Sequence, residues 1–116
     1  MDNKKTDEYY VKKAIENIDS IIAYVGKLSF DDFVKNYILI DAVMFRLVQM
    51  AENIIRISKD YRDKHQMIKW GQIIGFRNGI VHDYGKTDYS IVYEIVSKDI
   101  YELKMNLESI VLEEIY

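Results

Sequence analysis

The sequence contains no cysteine and no proline, and its 116 residues include only five glycines and two histidines. Without cysteine there is no disulfide framework, no thiolate zinc site and no cysteine nucleophile. The cytoplasm is then the default compartment. Without proline, and with little glycine, nothing forces a helix to stop, so long helices are expected. Long uncharged runs are missing too. No window approaches the roughly 18 apolar residues of a membrane span, and the opening MDNKKTDEYY lacks the apolar stretch of a signal peptide. What is present is a globular composition, 49% hydrophobic and 30% charged, which excludes disorder. At this length the chain, residues 1–116, is sized for one domain with a single core.

A large positive charge is also lacking. The formal net charge of −3 argues against a surface that coats nucleic acid at large. Its distribution is uneven. From Arg56 to Lys86 there are seven Lys/Arg against three Asp/Glu, while the rest holds nine basic and sixteen acidic residues. A locally basic centre on an acidic body could take a phosphate chain, or it could be ordinary scatter on solvated faces.

Apolar spacing predicts helices throughout. The first runs from Asp7 to about Leu28, N-capped by Thr6 or Asp7, with Val11, Ala14, Ile15, Ile18, Ile21, Ile22, Val25 and Leu28 forming one stripe and Gly26 a stop signal. Ser29-Phe30-Asp31-Asp32 reads as a capped start. The helix that follows, with a break admitted near Asn36, reaches about Lys64 on a stripe of Phe33, Tyr37, Ile40, Met44, Leu47, Ala51 and Ile54, widened by Val43, Met50 and Ile57. A short helix covers Trp70 to Tyr84. Gly85-Lys86-Thr87-Asp88 then stops it and caps a last helix from Tyr89 to about Glu114. Strand alternation and internal repeats are absent. The fold class is all-α, a four-to-five-helix up-and-down bundle.

Chemistry concentrates in one segment. The two histidines, His65 and His82, have no His-x-x-x-His or His-Glu-x-x-His spacing, so neither a metal site nor a cofactor is indicated. Gly71, Gly75 and Gly79 recur every four residues and make a smooth strip on one side of the third helix. That strip suits close packing on a neighbouring helix of the bundle, with approach of a ligand as the other reading. The same helix carries Arg77, Asn78, His82 and Tyr84 within eight positions. An Arg offers a planar fork to phosphate oxygens, and a His can move protons near neutral pH. In principle such a pair suffices for metal-free cleavage of RNA by its own 2′-hydroxyl, whereas taken alone a single His near a helix end is more often a structural residue.

Arg77-Asn78-Gly79-Ile80-Val81-His82-Asp83-Tyr84 fits an Arg-x4-His-x-Tyr signature and resembles that of the HepT-like toxins of the HEPN superfamily. The resemblance extends over nearly the whole chain. It takes in the Phe-Asp-Asp-Phe segment, the Asp41–Ser58 helix with Glu52, Ile74-Gly75-Phe76, the Asp88–Val92 helix start and the Lys98-Asp99 pair. It implies a helical homodimer that is the toxin of a type II toxin–antitoxin system and a metal-independent endoribonuclease. Arg77 and His82 would be its catalytic pair. Tyr84 would be the residue on which a cognate nucleotidyltransferase, the antitoxin, places AMP. The alternative is a non-catalytic HEPN module that binds nucleotide or docks on a nucleotidyltransferase.

A helical wheel complicates the pair. At about 100° per residue, Arg77 and His82 lie roughly 140° apart on a regular helix. Arg77 groups with Val81 and Tyr84, and Asn78 with His82 and the glycine strip. Either the helix loosens around His82, or a second copy completes the site. Glu52 is expected to hold Arg77 or Arg46, unless it is a plain surface carboxylate. Asn78 is expected in a supporting role, orienting the His82 ring or capping backbone. His65 is expected in solvent.

Overall fold

Five short polar side chains decide where helices begin. In the computed structural model, which describes residues 5–115, Thr6 Oγ1 accepts from the Tyr9 amide at 3.1 Å and starts α1 (Asp7–Val25). Ser29 Oγ accepts from Asp32 N to start α2 (Phe30–Lys35). Asn36 Oδ1 accepts from Leu39 N to start α3 (Tyr37–Ile55). Ser58 Oγ accepts from Tyr61 N to start α4 (Lys59–Lys64), and Asp88 from Ser90 N to start α6 (Tyr89–Glu94). Each satisfies an amide that the first turn leaves without a partner. α5 (Trp70–Asp83) has no such cap. Its first residue is fixed instead by burial of Trp70, whose indole N–H is shared by the Arg62 and His65 carbonyls, both at 3.1 Å. Gly26 ends α1 with φ of +53°, a conformation that disfavours a side chain.

The molecule is all-α, with no strand among the described residues. α3 lies between α1 and α5, and α7 (Ile100–Ile115) packs on α1. The expected stripes form the core: Val11, Ala14, Ile18, Ile21 and Val25 of α1 meet Ile40, Val43, Met44, Leu47, Met50, Ala51 and Ile54 of α3, closed by Val92, Val96, Ile100, Leu107 and Ile110. No helix is long and apolar enough to cross a membrane.

Several boundaries differ from expectation. The second long helix does break at Asn36, but α3 stops at Ile55 rather than continuing to Lys64. Ser58 is drawn out of helix because its N–H and O–H both donate to the Asp7 carboxylate, each at 2.7 Å, which leaves it extended as the cap of α4. Tyr37 is exposed, since the break at Asn36 turns it away from the stripe begun by Phe33. The last helix contains a π-helical turn, Ile95–Asp99, between α6 and α7. The extra residue shifts the inward face so that Ile100 is buried while Ile95 and Leu103 are half-buried. His65 is half-buried with its ring 4.6 Å from that of Tyr61.

The glycine strip does not pack within the bundle. A methyl group built on Gly71, Gly75 or Gly79 would meet nothing within 4 Å. α5 rests chiefly along α3 through Trp70, Ile73, Ile74, Arg77 and Ile80, and its glycine side faces outward. On its other flank a groove of about 530 Å³ opens toward α6 and α7, floored by Leu47 and Met50.

Candidate active site

α3 is an apolar helix whose sequence, YILIDAVMFRLVQMAENII, contains just two acidic residues, Asp41 and Glu52. Eleven residues is about three turns, so both fall on one flank. α5 runs antiparallel beside that flank. Arg77 of α5 and Tyr84, the residue that follows the helix, each reach one of these carboxylates: Arg77 meets Glu52, and Tyr84 meets Asp41.

The Arg77 guanidinium is held on two sides. Nε donates to Glu52 Oε1 at 2.7 Å, Nη2 forms an ion pair with the same oxygen, and Nη1 donates to Asn78 Oδ1 at 2.8 Å. Both members of the ion pair are about one-quarter exposed. A guanidinium has five N–H bonds, so one hydrogen remains on each terminal nitrogen. Two such hydrogens are the kind of fork that can meet a phosphate. Glu52 therefore fixes the orientation of Arg77 and offsets part of its charge; a phosphate would add to this pairing or compete with it. Arg46 is not the partner of Glu52, since its Nη1 donates to Asn17 Oδ1 at 3.3 Å.

His82 lies on the outward side of α5, exposed, with no hydrogen-bond partner among the described residues. The backbone leaves helical geometry right after His82, at Asp83 (φ −149°, ψ 45°), and passes into a 3₁₀ turn at Tyr84–Lys86, so the helix loosens before Gly85 but only beyond His82 itself. The roughly 140° divergence of Arg77 from His82 therefore persists in the folded chain. Asn78, expected in a supporting role, is bonded to Arg77 and not to the His82 ring. A single chain thus brings Arg77, Asn78 and Glu52 together and holds His82 apart.

Tyr84 Oη donates to Asp41 Oδ1 at 2.5 Å. That bond, with some burial and the nearby carboxylate charge, pushes the phenol up from 10.0 to about 12. Asp41, which this bond joins to Tyr84, is a residue that the sequence reading did not single out. The available signal was its placement with Glu52 as the acidic pair of an otherwise apolar helix. Among the described residues no group of three or more His, Cys, Asp or Glu side chains could hold a metal ion.

Comparison with known proteins identifies the family of the chain. The family described as "Ribonuclease HepT-like" matches residues 14–110. The chain is 31% identical over 110 residues to "Putative RNase TTE0752" of Caldanaerobacter subterraneus subsp. tengcongensis, covering 95% of this chain and 98% of that protein. It is 24% identical over 106 residues to "Putative RNase MJ1380" of Methanocaldococcus jannaschii (91% and 97% covered). It is 25% identical over 107 residues to "Probable ribonuclease HepT" of Thermococcus cleftensis (92% and 97% covered). No solved structure matches. With a family match across most of its length and a relative above 30% identity, the chain belongs to the HepT-like ribonuclease family.

Proposed function

We propose that this chain is a single-domain, metal-independent endoribonuclease, the toxin of a type II toxin–antitoxin pair, acting in the cytoplasm as a homodimer on an RNA substrate. The observation that carries this reading is the Arg77 guanidinium, oriented by Glu52 and Asn78 with one free N–H on each terminal nitrogen, on the same helix as an exposed His82. In the reaction the RNA 2′-hydroxyl attacks the adjacent phosphorus, giving a cyclic phosphate and a free 5′-hydroxyl. His82 moves the proton of the attacking or leaving oxygen, and Arg77 neutralises charge developing on phosphorus. Because Arg77 and His82 diverge on one helix, the working cleft combines Arg77 of one copy with His82 of the other. The glycine strip, where an added methyl would meet nothing within 4 Å, leaves the side of α5 that carries His82 clear for close approach.

Control of the toxin falls to Tyr84. A cognate nucleotidyltransferase, the antitoxin, adds AMP to its hydroxyl, and the added charge and bulk block the cleft beside Arg77. A second reading, a non-catalytic partner that docks on the nucleotidyltransferase or presents nucleotide to it, draws on the same divergence of Arg77 and His82. One experiment separates them. His82→Ala should abolish RNA cleavage and toxicity at unchanged helical content. Arg77→Lys should lose most activity, because a point charge does not reproduce a two-pronged fork. Wild-type cleavage should continue in EDTA. Full activity of the His82 variant, or strict dependence on added divalent metal, would overturn the ribonuclease mechanism.

A further inference from the structure

Tyr84 closes α5 at the start of a 3₁₀ turn, and its hydroxyl crosses to the first turns of α3 to meet a carboxylate 43 residues earlier in the chain. The contact is open to solvent: Tyr84 is 41% exposed, and Asp41 is exposed as well. Among the described residues Asp41 pairs with no cation and binds no other donor. Its carboxylate is therefore free to take a proton. This differs from Glu52 on the same flank, which is committed to Arg77.

A phenol that forms an ester with phosphorus must lose its proton as the bond is made. In kinases an Asp set against the attacking hydroxyl receives that proton. The 2.5 Å contact between Tyr84 Oη and Asp41 Oδ1 is that arrangement on the acceptor side, within the range for a hydroxyl donating to a carboxylate. We propose that Asp41 is the proton acceptor that activates Tyr84 as a nucleophile for nucleotidyl transfer, which rests on Tyr84 being the modified residue. Tyr84 Oη attacks the α-phosphorus of a nucleoside triphosphate brought by the nucleotidyltransferase. The Oη–P bond forms, the bond from that phosphorus to the bridging oxygen of the β-phosphate breaks, and pyrophosphate leaves. The phenolic proton passes to Asp41 Oδ1 and from there to water. No electrons are gained or lost. The modified protein thus supplies its own base, and the partner has to supply only the bound nucleotide and its metal.

The hydrogen bond has two consequences that a bare surface tyrosine lacks. It aims the oxygen lone pairs away from α3, toward the open side from which a nucleotide would arrive. It also keeps the proton in place until phosphorus is close, because the phenol is held well above its ordinary ionisation. Neutral Tyr84 is then the resting form, and Asp41 acts only during transfer.

The test uses the full chain with the nucleotidyltransferase and ATP, following added AMP by intact mass over time. Asp41→Asn keeps the shape and an oxygen acceptor but cannot take up the proton, so the transfer rate at saturating ATP should fall about 100-fold. Helical content should stay the same. Asp41→Glu, which restores a carboxylate, should recover a substantial part of the rate. A wild-type rate in Asp41→Asn would overturn the assignment of Asp41 while leaving Tyr84 as the modified residue. So would an equal loss in Asp41→Asn and Asp41→Glu, because the rate would then not follow the presence of a carboxylate. Absence of added mass on wild type, or its persistence on Tyr84→Phe, would instead overturn the reading of Tyr84, and the role of Asp41 with it.

Discussion

Of ten tyrosines, Tyr84 is set apart by a single oxygen of Asp41. The neutral phenol is the donor in that bond, so folding favours the protonated form and raises its ionisation from 10.0 to about 12. The stability that follows is present in full below about pH 10, where the phenol is protonated in both folded and unfolded chains. It is lost as pH rises through about 12, where the folded phenol ionises. The contact is exposed, so the effect on overall stability is small, and ionisation itself is the better readout. Ultraviolet titration should show a late-ionising tyrosine in the wild type that is missing in Tyr84→Phe. In Asp41→Ala that tyrosine should ionise near its ordinary value. If Tyr84→Phe removes a tyrosine that already titrates near pH 10, the bond to Asp41 does not form in solution. Arg77 follows the same logic. Its guanidinium has an internal carboxylate partner, Glu52, which sets its direction within the fold.

α5 is an unusual helix to keep in a small bundle, because three of its fourteen residues are glycines that face open space. Glycine in a helix interior costs about 0.5–1 kcal/mol relative to alanine. Since an added methyl at Gly75 meets nothing within 4 Å, Gly75→Ala should raise unfolding stability by about that amount in chemical denaturation. It should weaken self-association if the strip is where two copies meet. Stabilisation without any change in association would remove the strip from the interface. The strip was visible in the sequence, but which neighbour it serves was not, because spacing gives a face and not a partner. The same limit explains the helix ends. Caps at Thr6, Ser29 and Asp88 are local chemistry and were readable. The stop at Ile55 was not, because Ile57 and Tyr61 continue the apolar spacing, and only the long-range bonds from Ser58 to Asp7 pull the chain out of helix. The π turn at Ile95–Asp99 escaped for a similar reason: one extra residue leaves an apolar stripe that a regular helix also fits. In the site, the Arg-x4-His-x-Tyr spacing marked Arg77, His82 and Tyr84. The carboxylates bonded to Arg77 and Tyr84 depend on the antiparallel register of α3 and α5, which no local pattern encodes. Glu52 was assigned between two arginines, and Asp41 was passed over.

At the scale of the whole molecule, the question is how an acidic chain of net charge −3 gathers enough of the right groups around one RNA phosphate. One copy is a poor candidate. Its Arg77 is turned toward Glu52, and its His82 points to solvent on another side of α5. Along α3 and α5, however, several large apolar side chains are exposed. Ile38 and Phe45, two turns apart on α3, are 85% and 57% exposed, and Val81, one turn beyond Arg77 on α5, is 50% exposed. Single exposed apolar residues need no explanation, but three on adjoining helix faces around a polar pair make a patch suited to self-association. A two-fold axis through that patch covers Phe45 and Val81 and brings each Arg77 toward the other copy's α5. It leaves the Tyr84–Asp41 end at the rim, where a modifying enzyme reaches it. Light scattering at micromolar concentration should therefore give about twice the 13.8 kDa chain mass. Phe45→Glu would place a charge at the centre of the contact. If Phe45 is an anchor worth about 2 kcal/mol or more, dimerisation weakens by roughly 30-fold or more. The variant should then run as a monomer, retain its helical content and lose RNA cleavage, although Arg77, His82 and Glu52 are all still present. Mixing two inactive variants offers an independent check, because a shared cleft predicts that Arg77→Ala and His82→Ala chains together regain one working site in each mixed dimer. A wild-type monomer that cleaves RNA, or a mixture that stays inactive while mixed dimers form, would show that the two groups do not act across the interface.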